Sequence, residues 1–308
     1  MRVVFAGTPD VAVASLDALL ASDHEVVGVL TRPDAPVGRS KKPVPSPVAA
    51  RAMDAGVPVF RPQRPRDEEF IAQLTELAPD CCPVVAYGNL IPQRVLDIPR
   101  LGWANLHFSL LPRWRGAAPV QRAIMAGDTE TGACVFRLVP ELDAGDVYAE
   151  LREPIGPLDT AEDLLARLAG SGSRLLVEVM DQLAAGTAVA TPQPTEGVTH
   201  AAKLTVADAE IDWTRPAEEI DRQIRGCHPA PGAWSTFRGD RYKVLRAHPV
   251  PGDTIEPGVL MATKKYLQVG TGTRPLELDL VQPHGRKAMA AADWARGAAL
   301  AHGERLGA

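Results

Sequence analysis

The stretch on which the interpretation of this chain depends is Asn105-Leu106-His107-Phe108-Ser109-Leu110-Leu111-Pro112-Arg113-Trp114-Arg115-Gly116. The apolar residues from Leu101 to Leu106 predict a short strand, and the proline and glycine that follow predict a tight loop. Because residues two apart on a strand point to the same face, Asn105 and His107 can converge on one small group.

A carboxylate follows at Asp143, within Leu142-Asp143-Ala144-Gly145-Asp146, where the glycine predicts a flexible turn. An amide, an imidazole and a carboxylate together can stabilise an oxyanion and transfer a proton. The alternative is that Asn105 caps a turn and that His107 is a core histidine with satisfied hydrogen bonds.

The pattern Asn-x-His-x-Ser-Leu-Leu-Pro-x-x-Arg-Gly, followed by Leu-Asp-x-Gly-Asp, resembles the folate-dependent formyltransferases, in particular those that act on methionyl-tRNA. The strong matches lie within residues 2–146, and weaker ones extend almost to the end of the chain. The matching segments are Val4-Phe5-Ala6-Gly7-Thr8-Pro9, Lys41-Lys42, Pro45-Ser46-Pro47-Val48, Val84-Val85-Ala86-Tyr87-Gly88, Arg115-Gly116-Ala117-Ala118-Pro119-Val120-Gln121, Ile211-Asp212-Trp213 and Gly285-Arg286-Lys287-Ala288-Met289.

The resemblance implies transfer of a formyl group from 10-formyltetrahydrofolate to the methionyl amino group on initiator tRNA. That amine needs no strong base, because a free α-amino group has a pKa of about 7.7–8.0 and an ester neighbour lowers it. We therefore expect Asn105 and His107 to be donors to the negative oxygen of the intermediate. Asp143 would orient His107 and accept a proton through water, and Asp146 is the competing carboxylate.

The resemblance also implies a folate pocket in which backbone groups contact the pterin edge. Phe108 occupies a position where the family commonly has glycine, and it would crowd a folate lying against it. Arg113 and Arg115 could face tRNA phosphates or the glutamate of folate, and the sequence does not decide between them. The expected folate-binding residues are Tyr87, Gly88, Ser109, Leu110, Leu111 and Pro112.

Residues 33–48 are rich in proline, glycine and cations and predict a mobile surface loop. The resemblance implies that Arg39, Lys41 and Lys42 in this loop bind tRNA. A second basic run, residues 222–246, holds six cations and one acid, which suits either phosphate binding or a solvated face.

Composition narrows the class of protein. The chain has 308 residues, 45% of them hydrophobic, and a net charge of −5, which is ordinary for a globular protein. No apolar stretch approaches about 20 residues, so we expect no membrane span. The four cysteines lack C-x-x-C spacing and no export signal is evident, so we expect reduced thiols and a cytoplasmic location. No cluster of histidines, cysteines and carboxylates has metal-ligand spacing, so we expect no metal. We also expect a monomer, although the sequence does not give the oligomeric state.

The fold class predicted is α/β: a Rossmann-like, open, parallel-rich sheet with helices on both faces, followed by a small OB-like β barrel. A β-α-β pattern at the start of the sequence favours the parallel sheet. It is not a dinucleotide-binding site, because Gly7 is the only glycine present where G-x-G-x-x-G is expected. Short apolar runs separated by glycine and proline turns predict the second domain's strands, and the resemblance supports an OB-like barrel. We expect a catalytic domain over residues 1–185, a linker over 186–207, and a tRNA-binding domain over 208–308.

Three other functions are compatible with parts of this sequence. A formyltransferase acting on a sugar-nucleotide amine shares the motif, but such a substrate gives little reason for the basic loop 33–48. The single-domain purine-pathway formyltransferase would leave a domain's length of chain unexplained. A non-catalytic nucleotide- or RNA-binding protein is disfavoured by the joint presence of Asn105, His107 and Asp143.

Overall fold

A seven-stranded, mostly parallel sheet forms the centre of the first of two units. The computed structural model describes residues 1–36 and 42–307. The first unit comprises residues 1–119, 130–154 and 165–202. Its strands are β1 (Arg2–Gly7), β2 (Glu25–Leu30), β3 (Ala35–Pro36), β4 (Pro43–Val44), β5 (Val59–Phe60), β6 (Cys82–Val85), β7 (Trp103–His107), β8 (Arg115–Gly116), β9 (Glu130–Arg137), β10 (Val147–Pro154) and β11 (His200–Ala201).

The sheet has the order β10-β9-β7-β6-β1-β2-β5. Strands β5, β2, β1, β6 and β7 run parallel, β9 is antiparallel to β7, and β10 is antiparallel to β9. Strand β6 is buried at every residue, as expected for a continuous apolar run covered on both faces. The predicted parallel-rich, Rossmann-like sheet with helices is therefore confirmed.

The helices in chain order are α1 (Val13–Leu20), α2 (Pro47–Asp54), α3 (Glu68–Leu77), α4 (Gln93–Leu96), α5 (Pro119–Ala126), α6 (Ala161–Ala185), α7 (Ala217–Gly226) and α8 (Ala291–Ala298), with 3-10 turns at Asp10–Ala12 and Ala207–Ala209. Helix α2 shows why a helix begins where it does. The Ser46 hydroxyl accepts a hydrogen bond from the Ala49 N–H at 3.1 Å, and Pro47 occupies the first turn.

The segment predicted as a loop over residues 33–48 contains short strands near both of its ends. Strands β3 and β4 pair antiparallel, so each end of the segment has a short stretch of regular structure. The prolines permit this because each strand is only two residues long and lies at an edge. Arg39 and Lys41 lie outside the described residues, whereas Lys42 is described and exposed.

The second unit comprises residues 120–129, 155–164 and Lys203 onward. An antiparallel sheet of order β12-β13-β16-β15-β14, with β17 beside β16, confirms the predicted small β domain. The sequence did not predict α7 there. The strands are β12 (Trp234–Phe237), β13 (Asp240–Pro249), β14 (Leu260–Ala262), β15 (Leu267–Val269), β16 (Leu276–Pro283) and β17 (Met289–Ala290).

Candidate active site

Strand β7 carries two of the three predicted catalytic residues at its carboxyl end. It lies between β6 and β9, with Asn105 opposite Val84 and Phe136. Asn105 is half-buried and His107 is buried, and their spacing of two places both side chains on one face. The end of a central parallel strand is where open α/β sheets bind ligands, so the sequence-predicted pair has the expected location.

The His107 ring is oriented by a backbone carbonyl. Its Nε2 lies 2.9 Å from the Trp114 oxygen, and since a carbonyl only accepts, Nε2 carries the proton. The Phe136 ring meets the imidazole edge to face, with centroids 6.3 Å apart. Nδ1 lies 3.9 Å from an Asp143 carboxylate oxygen, which is too long for a hydrogen bond but close enough for strong charge interaction.

Burial lowers the pKa of His107, and the Asp143 carboxylate and the Trp114 carbonyl oppose that shift without cancelling it. Burial disfavours the charged imidazolium because the interior solvates it poorly. The ring is therefore neutral at neutral pH, with Nδ1 as a lone-pair acceptor on the side of Asp143.

Asp143 is held in an unusual backbone conformation. Its φ of 47° lies in the left-handed region, which non-glycine residues seldom adopt. One carboxylate oxygen accepts a hydrogen bond of 2.7 Å from the Gly116 N–H, and the side chain is 12% exposed. The loop also requires Gly145, because a Cβ there would come within 1.8 Å of the Arg137 carbonyl oxygen. The carboxylate is thus fixed beside His107.

The competing carboxylate, Asp146, contributes to the turn through its backbone. Its carbonyl accepts a hydrogen bond of 2.9 Å from the Arg137 N–H. The structure therefore brings His107 and Asp143 together and places Asn105 beside them on the strand. Such a set can donate to a developing oxyanion and take up a proton.

Comparison with known families decides which chemistry this is. A family described as formyl transferase matches residues 1–180, and one described as formyl transferase, C-terminal domain, matches residues 203–299. The chain belongs to the formyltransferase family.

Relatives of this formyltransferase resemble it along their whole length. A methionyl-tRNA formyltransferase of Streptomyces griseus is 59% identical over 309 residues, covering 100% of both chains. One of Thermobifida fusca is 59% identical over 308 residues, covering 100% of this chain and 99% of the relative. Among solved structures, an N-formyltransferase from Helicobacter canadensis in complex with folinic acid and dTDP-3-aminofucose has a TM-score of 0.69 at 17% identity. It covers 92% of this chain and 100% of that one, and it shows the shared fold.

The predicted folate-binding residues of this formyltransferase follow β6 and β7. Tyr87 is 2% exposed, its carbonyl accepts a hydrogen bond of 2.8 Å from the Thr8 hydroxyl, and Gly88 has a φ of 89°. The Ser109 hydroxyl donates to the Arg113 carbonyl at 2.6 Å. The Tyr87 carbonyl and the Ser109 hydroxyl are therefore already engaged within the protein, which leaves the other backbone groups of these segments for a ligand.

The rest of the predicted folate segment is largely buried. Leu111 packs against Cys134 and Phe136, Leu110 is half-buried, and the Leu111–Pro112 peptide bond is cis. Phe108, at the position where the family commonly has glycine, is 7% exposed.

The basic run 222–246 is not one continuous cationic surface. Arg225 binds the Asp221 carboxylate at 2.9 Å and Arg238 binds that of Glu304, so two of its six cations are paired internally. Arg241 stacks over the Trp234 ring, 4.1 Å from its centroid. The charge count along the chain therefore overstated the number of cations available to a phosphate.

Sequence reasoning missed two residues beside the candidate site. Gln193 and Thr199 fall in the segment predicted as a linker, yet they hydrogen-bond to the loops that carry Asp143 and Trp114. The Pro-Gln-Pro triplet at 192–194 was the available signal, because flanking prolines restrict the backbone of the residue between them.

Strands β13 and β16 bring together His248, Glu277 and Asp279, whose ligand atoms lie within 4.8 Å of one another. The sequence showed no such cluster because its members are far apart along the chain. Nδ1 of His248 and a carboxylate oxygen of Asp279 already lie within hydrogen-bond distance, at 3.0 Å, which accounts for their proximity. Separately, none of the helices within residues 1–36 and 42–307 combines the length and apolarity needed to cross a membrane.

Proposed function

We propose that the chain transfers the formyl group of 10-formyltetrahydrofolate to the free amino group of methionyl initiator tRNA. The observation that carries this proposal is the 59% identity, over 100% of both chains, to the methionyl-tRNA formyltransferase of Streptomyces griseus. The product, N-formylmethionyl-tRNA, serves translation initiation, which places the reaction in the cytoplasm. We propose a monomer with a catalytic domain over residues 1–185, a linker over 186–207 and a tRNA-binding domain over 208–308.

Asn105 supplies the first donor of the proposed mechanism. Attack by the methionyl amine makes the formyl oxygen negative, and an amide N–H aimed at that oxygen stabilises it. Asn105 suits this role because it is half-buried on the strand face that also carries His107.

His107 and Asp143 act as a pair. Nε2–H of the neutral ring is directed at the Trp114 carbonyl, so donation to the reacting oxygen requires a second proton, on Nδ1. The Asp143 carboxylate, 3.9 Å from Nδ1, stabilises that doubly protonated ring and accepts through water the proton lost by the attacking nitrogen. When the intermediate collapses, the bond from the formyl carbon to N10 breaks, and N10 takes up a proton and leaves as tetrahydrofolate. In the resting site the ring is oriented by Trp114, and Asp143 acts on its charge.

We assign folate binding to the backbone of Tyr87, Gly88 and the segment Ser109–Pro112. We assign binding of the tRNA acceptor end to Arg39, Lys41 and Lys42. The buried Tyr87 and Ser109 side chains support backbone recognition of the pterin edge. Arg115 is removed from the candidates for tRNA or folate contact, because its guanidinium binds Gln193 at 2.7 Å and is only 11% exposed.

The deciding experiment incubates the pure protein with 10-formyltetrahydrofolate and charged initiator tRNA and follows formylmethionine. We expect rapid formylation of methionyl-tRNA and none of amino sugars linked to nucleotides. Formylation of the sugars alone would replace the proposed function with the runner-up.

The assignment of the three catalytic residues is tested by substitution. Asn105→Ala and His107→Ala should each lower kcat on the order of 10²–10³-fold, as expected for loss of one oxyanion donor. Asp143→Asn keeps the volume but removes the charge, so kcat should fall while folate binding persists. Asp146→Asn is the matched control, and its inactivation together with an active Asp143→Asn would exchange the two roles.

A further inference from the structure

Residues 191–201, here called the strap, are tied to the first unit at both ends. At its start, Thr191 and Val147 exchange two backbone hydrogen bonds of 2.8 Å. At its end, β11 pairs in parallel with β8. Between them, the Thr199 hydroxyl accepts a hydrogen bond of 2.9 Å from the N–H of Trp114, the residue whose carbonyl orients His107.

Gln193 is the strap residue that contacts the Asp143 loop. Its side-chain NH₂ donates to the carbonyls of Asp143 at 2.9 Å and Gly145 at 2.8 Å. Its side-chain oxygen accepts from Nε of Arg115 at 3.1 Å and from Nη2 at 2.7 Å. Every donor and acceptor position of the carboxamide is therefore used, which only an amide side chain could achieve here.

These contacts hold both segments that fix the catalytic carboxylate. The left-handed backbone of Asp143 is unfavourable for a side-chain-bearing residue and persists only where neighbours constrain it. Gln193 constrains the carbonyls on this loop, and through Arg115 it constrains the residue before Gly116, whose N–H binds the Asp143 carboxylate. A shift of either segment would move the carboxylate away from Nδ1 of His107.

We infer that Gln193 is a positioning residue for formyl transfer, which sets the Asp143 carboxylate against His107 from within the segment that joins the two family-matched regions. This inference rests on the proposed function and on the role of Asp143 in it. Gln193 does not touch the reacting atoms, so its effect on catalysis passes through Asp143.

Steady-state kinetics of the full chain test this inference with Gln193→Ala. We expect kcat to fall roughly 10- to 100-fold, because small misplacements of a catalytic group have effects of that size. KM for tRNA and for folate should stay within about twofold, since neither ligand is bound by this residue. Gln182→Ala, an exposed glutamine on α6 in the same unit, is the matched control and should keep wild-type kcat.

The double variant Gln193→Ala/Asp143→Asn separates positioning from simple destabilisation. If Gln193 acts through Asp143, adding Gln193→Ala to Asp143→Asn should lower kcat no further. An equal further loss in that background, or wild-type kcat in Gln193→Ala, would overturn the inference. Should Gln193→Ala fail to fold, Gln193→Glu keeps the acceptor for Arg115 and removes the two donors, and the same comparison applies.

The result also distinguishes this inference from the proposed function. If the wild-type chain does not formylate methionyl-tRNA, the function fails whatever Gln193 does. If the wild type is active and Asp143→Asn is impaired but Gln193→Ala is not, only the positioning role is wrong.

Discussion

Burial and a nearby carboxylate act on the His107 ring in opposite directions. Burial lowers its pKa, whereas Asp143 and the Trp114 carbonyl raise it, and burial has the larger effect. The resting ring is thus neutral but lies next to a charge that favours its protonation. That combination suits a group that must gain a proton during one step and release it afterwards.

Removing the Asp143 charge should lower the His107 pKa further. NMR titration of the histidine ring protons should give wild-type His107 a pKa below the ordinary value of about 6.5, and Asp143→Asn a still lower one. The spectrum of His107→Gln assigns the resonance among the chain's 7 histidines. An unchanged or higher pKa in Asp143→Asn would show that the carboxylate does not act on this ring.

The lowered pKa of His107 also makes the free energy of unfolding depend on pH. Because the folded pKa is depressed, the unfolded chain binds more protons at mildly acidic pH. The contribution of His107 to the free energy of unfolding is therefore complete above the unfolded pKa and decreases as pH falls through it towards the folded value.

At the residue level, the sequence predicted the catalytic side chains that lie within recognisable motifs. It did not predict the residues that contact those side chains or their loops through backbone hydrogen bonds. Asn105 and His107 were grouped by the two-residue period of a strand, and Asp143 by its glycine turn. The Trp114 carbonyl and Gln193 were not predicted, because hydrogen bonds to backbone oxygens leave no periodic pattern, whether the partners are 7 residues apart, as His107 and Trp114 are, or 50, as Gln193 and Asp143 are. Every residue type has a backbone carbonyl, so the sequence does not reveal which carbonyl accepts such a hydrogen bond.

Among the elements, strands with continuous apolar residues are the ones that a sequence pattern indicates best, as the fully buried β6 illustrates. The strap was predicted as a linker because its composition of proline, glycine and threonine is that of a connection. Its pairing with β8 uses only backbone groups at two positions, so composition could not reveal it. Helix α7 was missed although Ala217, Ile220 and Ile224 have helical spacing, because the surrounding residues are mostly charged.

Deleting the strap should destabilise the first unit measurably. A fragment ending at Ala202 keeps the bridge to Val147, the pairing with β8 and the Gln193 contacts, and a fragment ending at Ala185 keeps none of them. Each net hydrogen bond is worth about 1 kcal/mol, and that is roughly 2–4 °C for a domain of this size. Calorimetry should therefore find the longer fragment melting several degrees higher.

A fragment ending at Ala190 serves as the control for that comparison. It is longer than the Ala185 fragment but still lacks every strap contact, so the two should melt together. Since all three fragments lack the same residues from Lys203 onward, a difference among them belongs to the strap. Equal melting of all three would mean that residues 191–201 act only as a connection.

The net charge of the whole chain opposes binding of the proposed tRNA substrate, so binding has to depend on where the cations lie. The chain carries −5 overall, yet its proposed acceptor is a polyanion. Association must then depend on local cationic segments, because a net negative charge repels the phosphates at long range. With Arg225 and Arg238 paired internally, the loop 33–48 and the remaining cations of residues 222–246 are the candidates for phosphate contact.

The triple variant Arg39→Ala/Lys41→Ala/Lys42→Ala should therefore raise KM for initiator tRNA and leave KM for folate unchanged. Each lost phosphate contact should reduce the slope of log affinity against log salt by about 0.7–0.9, so the salt dependence should flatten. Arg64→Ala/Arg66→Ala/Arg174→Ala removes the same charge from exposed positions of the proposed catalytic domain and should leave the slope unchanged. Trypsin should cut the free protein within residues 33–48, and bound initiator tRNA should protect it. Normal formylation by the triple variant, or cleavage unaffected by tRNA, would remove this loop from tRNA recognition.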